Sequence, residues 1–383
     1  MSNRHGRPAA GAALSLALLA AAAACRPDAA PPAATPSTPA AAPPPAEVVV
    51  DVGLPDGFEP LSVEFGDARQ GYALFVRCRG RCEARLFHTM DGGRTWRPRA
   101  HPRPEADNHQ LYAGAGPVVV LLAEPHSWYV SRDGGASWQP RPYDARGGTP
   151  AEYHSAYGTF YLDCPDSGAR CAIRDWTAGT AWREEPPVEL AAARSLTNGR
   201  DGRVWLSGVD GGRIVTAVGR IGAGFTRLAV PEQPGRAVWN ARVAVSADGE
   251  DVWLVADQEP SGGSGGGSAA TRALARKGTG LPLLWQYQDG SWVPRPVTGV
   301  EEKPNWPYSV APAGGGLLAI AGPERTGYLD RGAYLPADRA PRLDWVGQLP
   351  DGTLLGRDNR PGVNHLSHGT GASRSWATVR VHA

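Results

Sequence analysis

Three observations predict an all-β chain folded as a seven-bladed β-propeller with four-stranded blades: a repeated turn, a fixed period, and short apolar runs bounded by turn residues. The turn is Thr-Met-Asp-Gly-Gly-Arg-Thr-Trp at 89–96 and Ser-Arg-Asp-Gly-Gly-Ala-Ser-Trp at 131–138. Asp91 and Asp133 can accept hydrogen bonds from turn N–H groups, Gly93 and Gly135 can take positive φ, and Trp96 and Trp138 can pack. The two tryptophans lie 42 residues apart, a spacing typical of propeller blades. The same ruler reaches Trp182 after 44 residues, Phe225 after 43, Trp292 after 67, then Tyr334 and Trp376 after 42 each. The step of 67 is one blade plus an insertion. Seven anchors imply seven blades.

Between the anchors run short apolar segments such as 72–76, 118–122, 204–206, 252–256 and 317–321, with 49 glycines and 36 prolines supplying turns. In the first blade the strands read as 60–65, 71–77, 83–89 and 96–100. The repeated turn is then the third connection and Cys78–Cys82 the second. Residues 47–52 precede the seven repeats and read as a closing strand that pairs the last blade with the first, since an open ring would leave edges unpaired.

The fold begins near residue 47. Before it, Arg4 and Arg7 form a positive start, and the apolar run 9–24 is too short to span a bilayer. Leu19-Ala20-Ala21-Ala22-Ala23-Ala24-Cys25 resembles a bacterial lipoprotein signal, which implies a signal peptide at 1–24 and a lipid on Cys25. Ordinary cleavage after Ala24 is the alternative. Residues 25–46 read as the lipidated cysteine plus an Ala/Pro tether, and 47–383 as the propeller, with a flexible Gly-rich loop at about 259–281. Arg26 in place of aspartate implies outer-membrane sorting by the same resemblance, so the expected location is exported and membrane-anchored, in the outer membrane or periplasm.

The two turn sequences fit Ser/Thr-x-Asp-x-Gly-x-Ser/Thr-Trp and resemble the Asp-box, or bacterial neuraminidase repeat, of the sialidase-like propellers. Sialidases also carry an Arg-Ile-Pro signature, an arginine triad and a Tyr–Glu pair, and this chain has no Arg-Ile-Pro. A second resemblance covers Val63-Glu64-Phe65-Gly66-Asp67-Ala68-Arg69-Gln70-Gly71-Tyr72-Ala73-Leu74 and the turn that follows, which look like blades of the photosystem assembly-factor family. That family's propellers are non-enzymatic binding platforms, so the likeness implies a scaffold role.

With Cys25 set aside, four cysteines remain as two close pairs, Cys78/Cys82 and Cys164/Cys171, each across a polar loop between strand-like runs. Two nearest-neighbour disulfides suit hairpin ends. Zinc is the competing reading, weakened by Arg79 and Arg81 inside one loop and the lack of a nearby histidine pair. His365 and His368 are the other metal candidates, against a packing or solvated role. No metal and no cofactor is expected. Without residues 1–24 the chain holds 37 basic and 38 acidic residues, which argues against nucleic acid as a partner.

Both disulfide loops and the Gly-rich insertion fall in the second connection of their blades, on the face opposite the Asp-box turns, where inner strands begin. Elaborated loops on a rigid scaffold are where binding concentrates. Counting back from the anchors puts His109, Tyr153, Trp239, Trp306 and Trp345 at those inner-strand starts, with Glu152, His154, Asn240, Tyr308 and Asp344 beside them. This is a possible ligand mouth whose rings stack on sugars or cap a peptide; alternatively the rings fill space between blades. The expected function is a monomeric, non-catalytic binding or assembly scaffold for an extracytoplasmic protein or glycan, held to the bilayer by its acyl anchor. A glycan-directed hydrolase of the sialidase-like superfamily is the alternative.

Overall fold

The computed structural model describes residues 46–143, 148–164, 170–178, 184, 186, 192–231, 238–258, 280–301, 308–322 and 325–383. The signal peptide, Cys25, the tether before Ala46, Trp182, Trp306 and most of the Gly-rich loop lie outside the described residues. Among the described residues no helix is long and apolar enough to cross a membrane.

The described residues are almost entirely β, in seven sheets. Strand β1 (Ala46–Asp51) comes first in the chain. The first sheet is β2 (Glu59–Phe65), β3 (Gly71–Arg79), β4 (Arg81–Thr89) and β5 (Arg97–Arg99), with β6 (Glu105–Ala106) added beside the tip of β4. The second is β7 (Asn108–Ala113), β8 (Val119–Glu124), β9 (Ser127–Ser131) and β10 (Gln139–Arg141). The third holds β11 (Phe160–Asp163) and β12 (Ala172–Asp175), with Glu184 bridged to Ile173. The fourth is β13 (Ala193–Asn198), β14 (Val204–Asp210), β15 (Arg213–Arg220) and β16 (Gly224–Leu228); the fifth is β17 (Val238–Val245), β18 (Val252–Gln258), β19 (Leu283–Gln288) and β20 (Ser291–Pro294). The sixth is β21 (Ser309–Gly314), β22 (Leu317–Ala321), β23 (Thr326–Asp330) and β24 (Ala333–Pro336). The seventh is β25 (Trp345–Gln348), β26 (Leu354–Arg357), β27 (Val363–His368) and β28 (Ser375–His382), with β1 as a fifth, parallel strand against β28.

The middle strands β3, β8, β14, β18 and β22 are buried without a break over five residues, which covers both faces of their sheets, and the cores lie between neighbouring sheets. Tyr72, Leu74 and Leu86 of the first sheet meet Leu111, Val119 and Leu121 of the second. Trp205 of the fourth meets Val243, Leu254 and Trp285 of the fifth, and Tyr328 of the sixth meets Val346 and Trp376 of the seventh. The series returns to its start, because Phe65, Phe75 and Phe87 of the first sheet pack on Leu355, Leu366 and Val379 of the seventh. This succession of meandering sheets with cores between them is a β-propeller architecture.

The predicted closing strand is one residue earlier than its expected bounds and takes a particular place. It adds to the outer edge of the seventh sheet, Ala46 opposite Ala377 and Asp51 opposite His382. A second difference concerns the third repeat, where sequence counting places an inner strand at Tyr153. Residues Ala151–Tyr157 instead form a 3-10 turn after Pro150, which fixes φ and lacks the N–H that a strand ladder needs.

Both disulfides are present, Cys78–Cys82 at the β3–β4 hairpin end and Cys164–Cys171 between β11 and β12. Each closes a very short loop, so reduction is expected to remove roughly 2 kcal/mol per bridge while the fold persists. Urea unfolding with and without reductant measures this. Loss of the folded baseline on reduction would mean that the bridges hold more than their own loops.

Candidate functional site

In an antiparallel meander the second connection lies at the end where the inner strand starts, and the first and third lie at the opposite end. The Cys78–Cys82 hairpin, the Cys164–Cys171 loop and the long connection between β18 and β19 therefore share one face. The tryptophan turns share the other.

Those turns are held by their own side chains. Asp91 accepts from Thr95 N at 2.9 Å, Thr95 Oγ1 at 2.7 Å and Thr89 Oγ1 at 2.8 Å, while Gly93 N donates to Thr89 Oγ1 at 3.0 Å. Asp133 repeats the set with Ser137 N at 2.8 Å, Ser137 Oγ at 2.6 Å and Ser131 Oγ at 2.7 Å. These bonds, those from Ser137 first, hold the Asp133 carboxyl down at about 2. For Asp91, burial alone would raise the value, and the bonds from Thr95 and Thr89 outweigh it. Gly93 and Gly135 have φ of 86° and 81°, and a Cβ on Gly93 would stand 2.5 Å from Val379 of the seventh sheet. Trp96 donates to Gly93 O at 3.0 Å and Trp138 to Ala100 O at 2.9 Å. All these groups are engaged within the turns and the adjoining cores.

The residues expected at the mouth separate into several groups. His109, on inner strand β7, is 3% exposed and sits edge-on to His101 at 5.0 Å, its Nε2 3.3 Å from Cys82 O. Burial, then the neighbouring His109 ring, presses His101 down to about 3, and burial lowers His109 as well. Tyr153 and His154 lie in the 3-10 turn, where Tyr153 packs on Tyr112 at 4.8 Å and His154 stacks on Tyr161 at 4.0 Å. Burial pushes His154 down to about 4. Glu152 is turned toward the second sheet and accepts from Arg141 at 2.7 Å and from Arg132 of the 131–138 turn at 3.1 Å. Ala115 N in the first connection of that sheet donates to Ser155 Oγ at 3.2 Å, so Glu152, Tyr153 and His154 stand at the tryptophan-turn end and not on the disulfide-bearing face where counting places them. Against the pull of burial, those two guanidinium groups hold its carboxyl below the usual range.

Trp239 is the extra residue of a bulge in β17, half-buried, and beside it Asn240 donates to Asp257 at 2.9 Å. Tyr308 packs against the core between the fifth and sixth sheets and donates to Glu301 O at 2.8 Å. Asp344 accepts from Asn359 at 2.6 Å. His365 and His368 stand three positions apart on β27, on opposite sides of the strand; His365 is held by Thr378 and Asp358, each at 3.0 Å. Among the described residues no group of three His, Cys, Asp or Glu side chains is placed to hold a metal.

One expected residue anchors a different arrangement. Trp345, the first residue of β25, is 43% exposed. The benzo end of its indole reaches forward to Gly347, where an added Cβ would come within 2.3 Å of the ring. The guanidinium of Arg357, paired with Trp345 across β25–β26, sits 5.4 Å from the ring centre. Arg357 in turn donates to Glu64 of β2 at 2.6 Å, and Ser62 donates to the same carboxylate at 2.8 Å. Glu64 acts on Tyr112, whose phenol is raised by burial, then by Tyr153 and Glu64. Two further large apolar side chains, Leu61 at a bulge in β2 and Tyr157 at the end of the 3-10 turn, are 46% and 62% exposed. Sequence counting missed Arg357, Glu64, Tyr112, Leu61 and Tyr157. The signal for the platform was Gly347, two positions after a tryptophan on the same side of a strand.

No protein-family model matches the chain. The photosystem II assembly lipoprotein Ycf48 of Synechococcus sp. (strain CC9902) is 26% identical over an alignment of 199 residues that covers 46% of this chain and 58% of that relative. The match thus spans somewhat over half the length of that protein. Among solved structures, YCF48 bound to D1 peptide is 15% identical with a TM-score of 0.41, covering 86% of this chain and 94% of that one. YCF48 from Cyanidioschyzon merolae is 14% identical with a TM-score of 0.40, covering 82% and 94%.

Proposed function

We propose that the chain is an exported, lipid-anchored, seven-bladed β-propeller with Asp-box turns, acting as a non-catalytic binding or assembly module that takes its partner on the disulfide-bearing face. The carrying observation is that three separate elaborations occupy the same connection of their sheets, although packing of the sheets does not require them to share a side. The sequence relationship to an assembly lipoprotein points the same way.

Binding is favoured over hydrolysis by the state of the nearby carboxylates. Glycoside hydrolysis needs one carboxyl free to give a proton and another free to attack or to activate water. Here Glu64 is tied to Arg357, Asp257 to Arg242 and Asn240, and Asp344 to Asn359.

The anchored part of the proposal rests on the Ala-rich run ending at Cys25. Wild-type protein is expected in the membrane fraction until detergent releases it, with acyl chains in its mature mass, and Cys25→Ala is expected to be soluble. Release of the wild type without detergent, with no acyl mass, would overturn the anchor.

A further inference from the structure

We infer that the start of β25 is a binding site for a neutral oligosaccharide of two or more pyranose rings, one ring stacking on Trp345. This rests on the binding reading above and deepens it by naming a ligand class.

Three features carry it. First, the indole is both exposed and fixed in place. Gly347 leaves room for the benzo end of the ring, and the guanidinium of Arg357, itself clamped by Glu64, lies over it. An indole that is 43% exposed while flanked in this way keeps ring surface open to solvent with little rotamer freedom to lose, and is suited to stacking on the C–H face of a sugar. Second, the preceding side chain, Asp344, lines a cavity of about 360 Å³ together with Arg342, Asp358 and Arg360, at the low end of the ~300–1,000 Å³ range of ligand pockets. Successive residues point to opposite sides of a strand, so platform and cavity flank the first residues of β25. A chain of rings spans both where a single ring does not.

Third, the cavity's charged groups select the ligand. Two carboxylates and two guanidinium groups present acceptors and donors with no net sign. An ionic ligand would meet its own charge as often as the opposite one. Hydroxyl groups donate and accept at once and suit both kinds of wall. The groups are also held: Asp358 accepts from His365 at 3.0 Å and is paired with Arg360, and Asn359 at φ 59° fixes Asp344.

The test is calorimetric titration of the full-length protein, in a detergent without sugar headgroups, with cellohexaose, chitohexaose and maltohexaose. At least one is expected to bind, with Trp345→Ala weakening it about tenfold or more. Gly347→Ala keeps the indole but displaces it, and is expected to weaken binding several-fold, with the urea midpoints of both variants unchanged. Failure of all three sugars to bind at 10 mM, or binding indifferent to both substitutions, overturns the inference. If a displayed-peptide library instead yields Trp345-dependent binders while no sugar binds, the sugar class falls and the binding reading stands. If neither sugars nor peptides bind in a Trp345-dependent way, both the sugar class and this location for binding fall.

Discussion

Replacing Arg374 by methionine is expected to cost the fold about 3–5 kcal/mol, because its guanidinium is buried among carbonyl groups and, among the described residues, no carboxylate forms an ion pair with it. Nε and Nη2 donate to Ala313 O at 3.0 and 2.9 Å, Nη2 also to Gly352 O at 2.9 Å, and Nη1 to Ser367 O at 3.1 Å. Ala313 belongs to β21 and Ser367 to β27, so one side chain ties the sixth sheet to the seventh. Removing it leaves three acceptors without their donor at a sheet junction. Arg374→Lys is expected to recover only part of the loss, since one ammonium cannot reproduce the planar fork. Urea unfolding of the three proteins at neutral pH gives the comparison. Near-equal midpoints would mean that water replaces the guanidinium and that this tie contributes little.

Acid is expected to destabilise the protein before its carboxylates titrate. His101 and His154 are pressed down to about 3 and about 4, chiefly by burial. Below an unfolded value near 6.5 the unfolded chain binds protons that the folded state refuses, so stability is intact above that pH and falls as pH drops from it. At pH 5.0 each of these two sites is expected to have lost about 2 kcal/mol, roughly 4 together. His88, His109 and His365 are lowered by burial as well and act in the same direction. Comparing urea unfolding at pH 7.5 and 5.0 for the wild type, His101→Gln and His154→Gln separates the contributions, because each variant should show a gap smaller by about 2 kcal/mol. An unchanged gap in both variants would show that these rings are solvated in the folded state.

Where a structural feature is enforced by neighbours in the chain, the sequence discloses it. The turns at 89–96 and 131–138 are such cases: the Asp, Gly and Ser/Thr that build each turn all lie within it, and Trp96 bonds back to Gly93. The hairpin cysteines are similar, because four or seven residues of separation leave few other partners. The period of the anchors is legible because each sheet solves the same packing problem.

The third sheet is where this reasoning fails. Its first segment follows Pro150, and Glu152 is drawn to Arg132 and Arg141 of the preceding sheet, so a 3-10 turn replaces the strand that counting predicts. His109 lies on the inner strand β7, and the arrival of His101 from a loop makes it a core residue. The Trp345 platform was half visible. Its ring could be counted to an inner-strand start, but the support from Arg357 and Glu64 joins residues 293 positions apart, and no local pattern encodes such a pair.

Site-specific photo-crosslinking in living cells tests the central claim, that partners are taken on the disulfide-bearing face, most directly. A photoreactive residue is placed singly at Arg81, Asp210 or Asn359 on that face, and at Arg94, Ala136 or Glu250 on the opposite one, all six positions being exposed. Adducts confined to the first three positions, and reduced by Trp345→Ala, are the result this account predicts. Adducts from the tryptophan-turn positions, or from neither set, would contradict it.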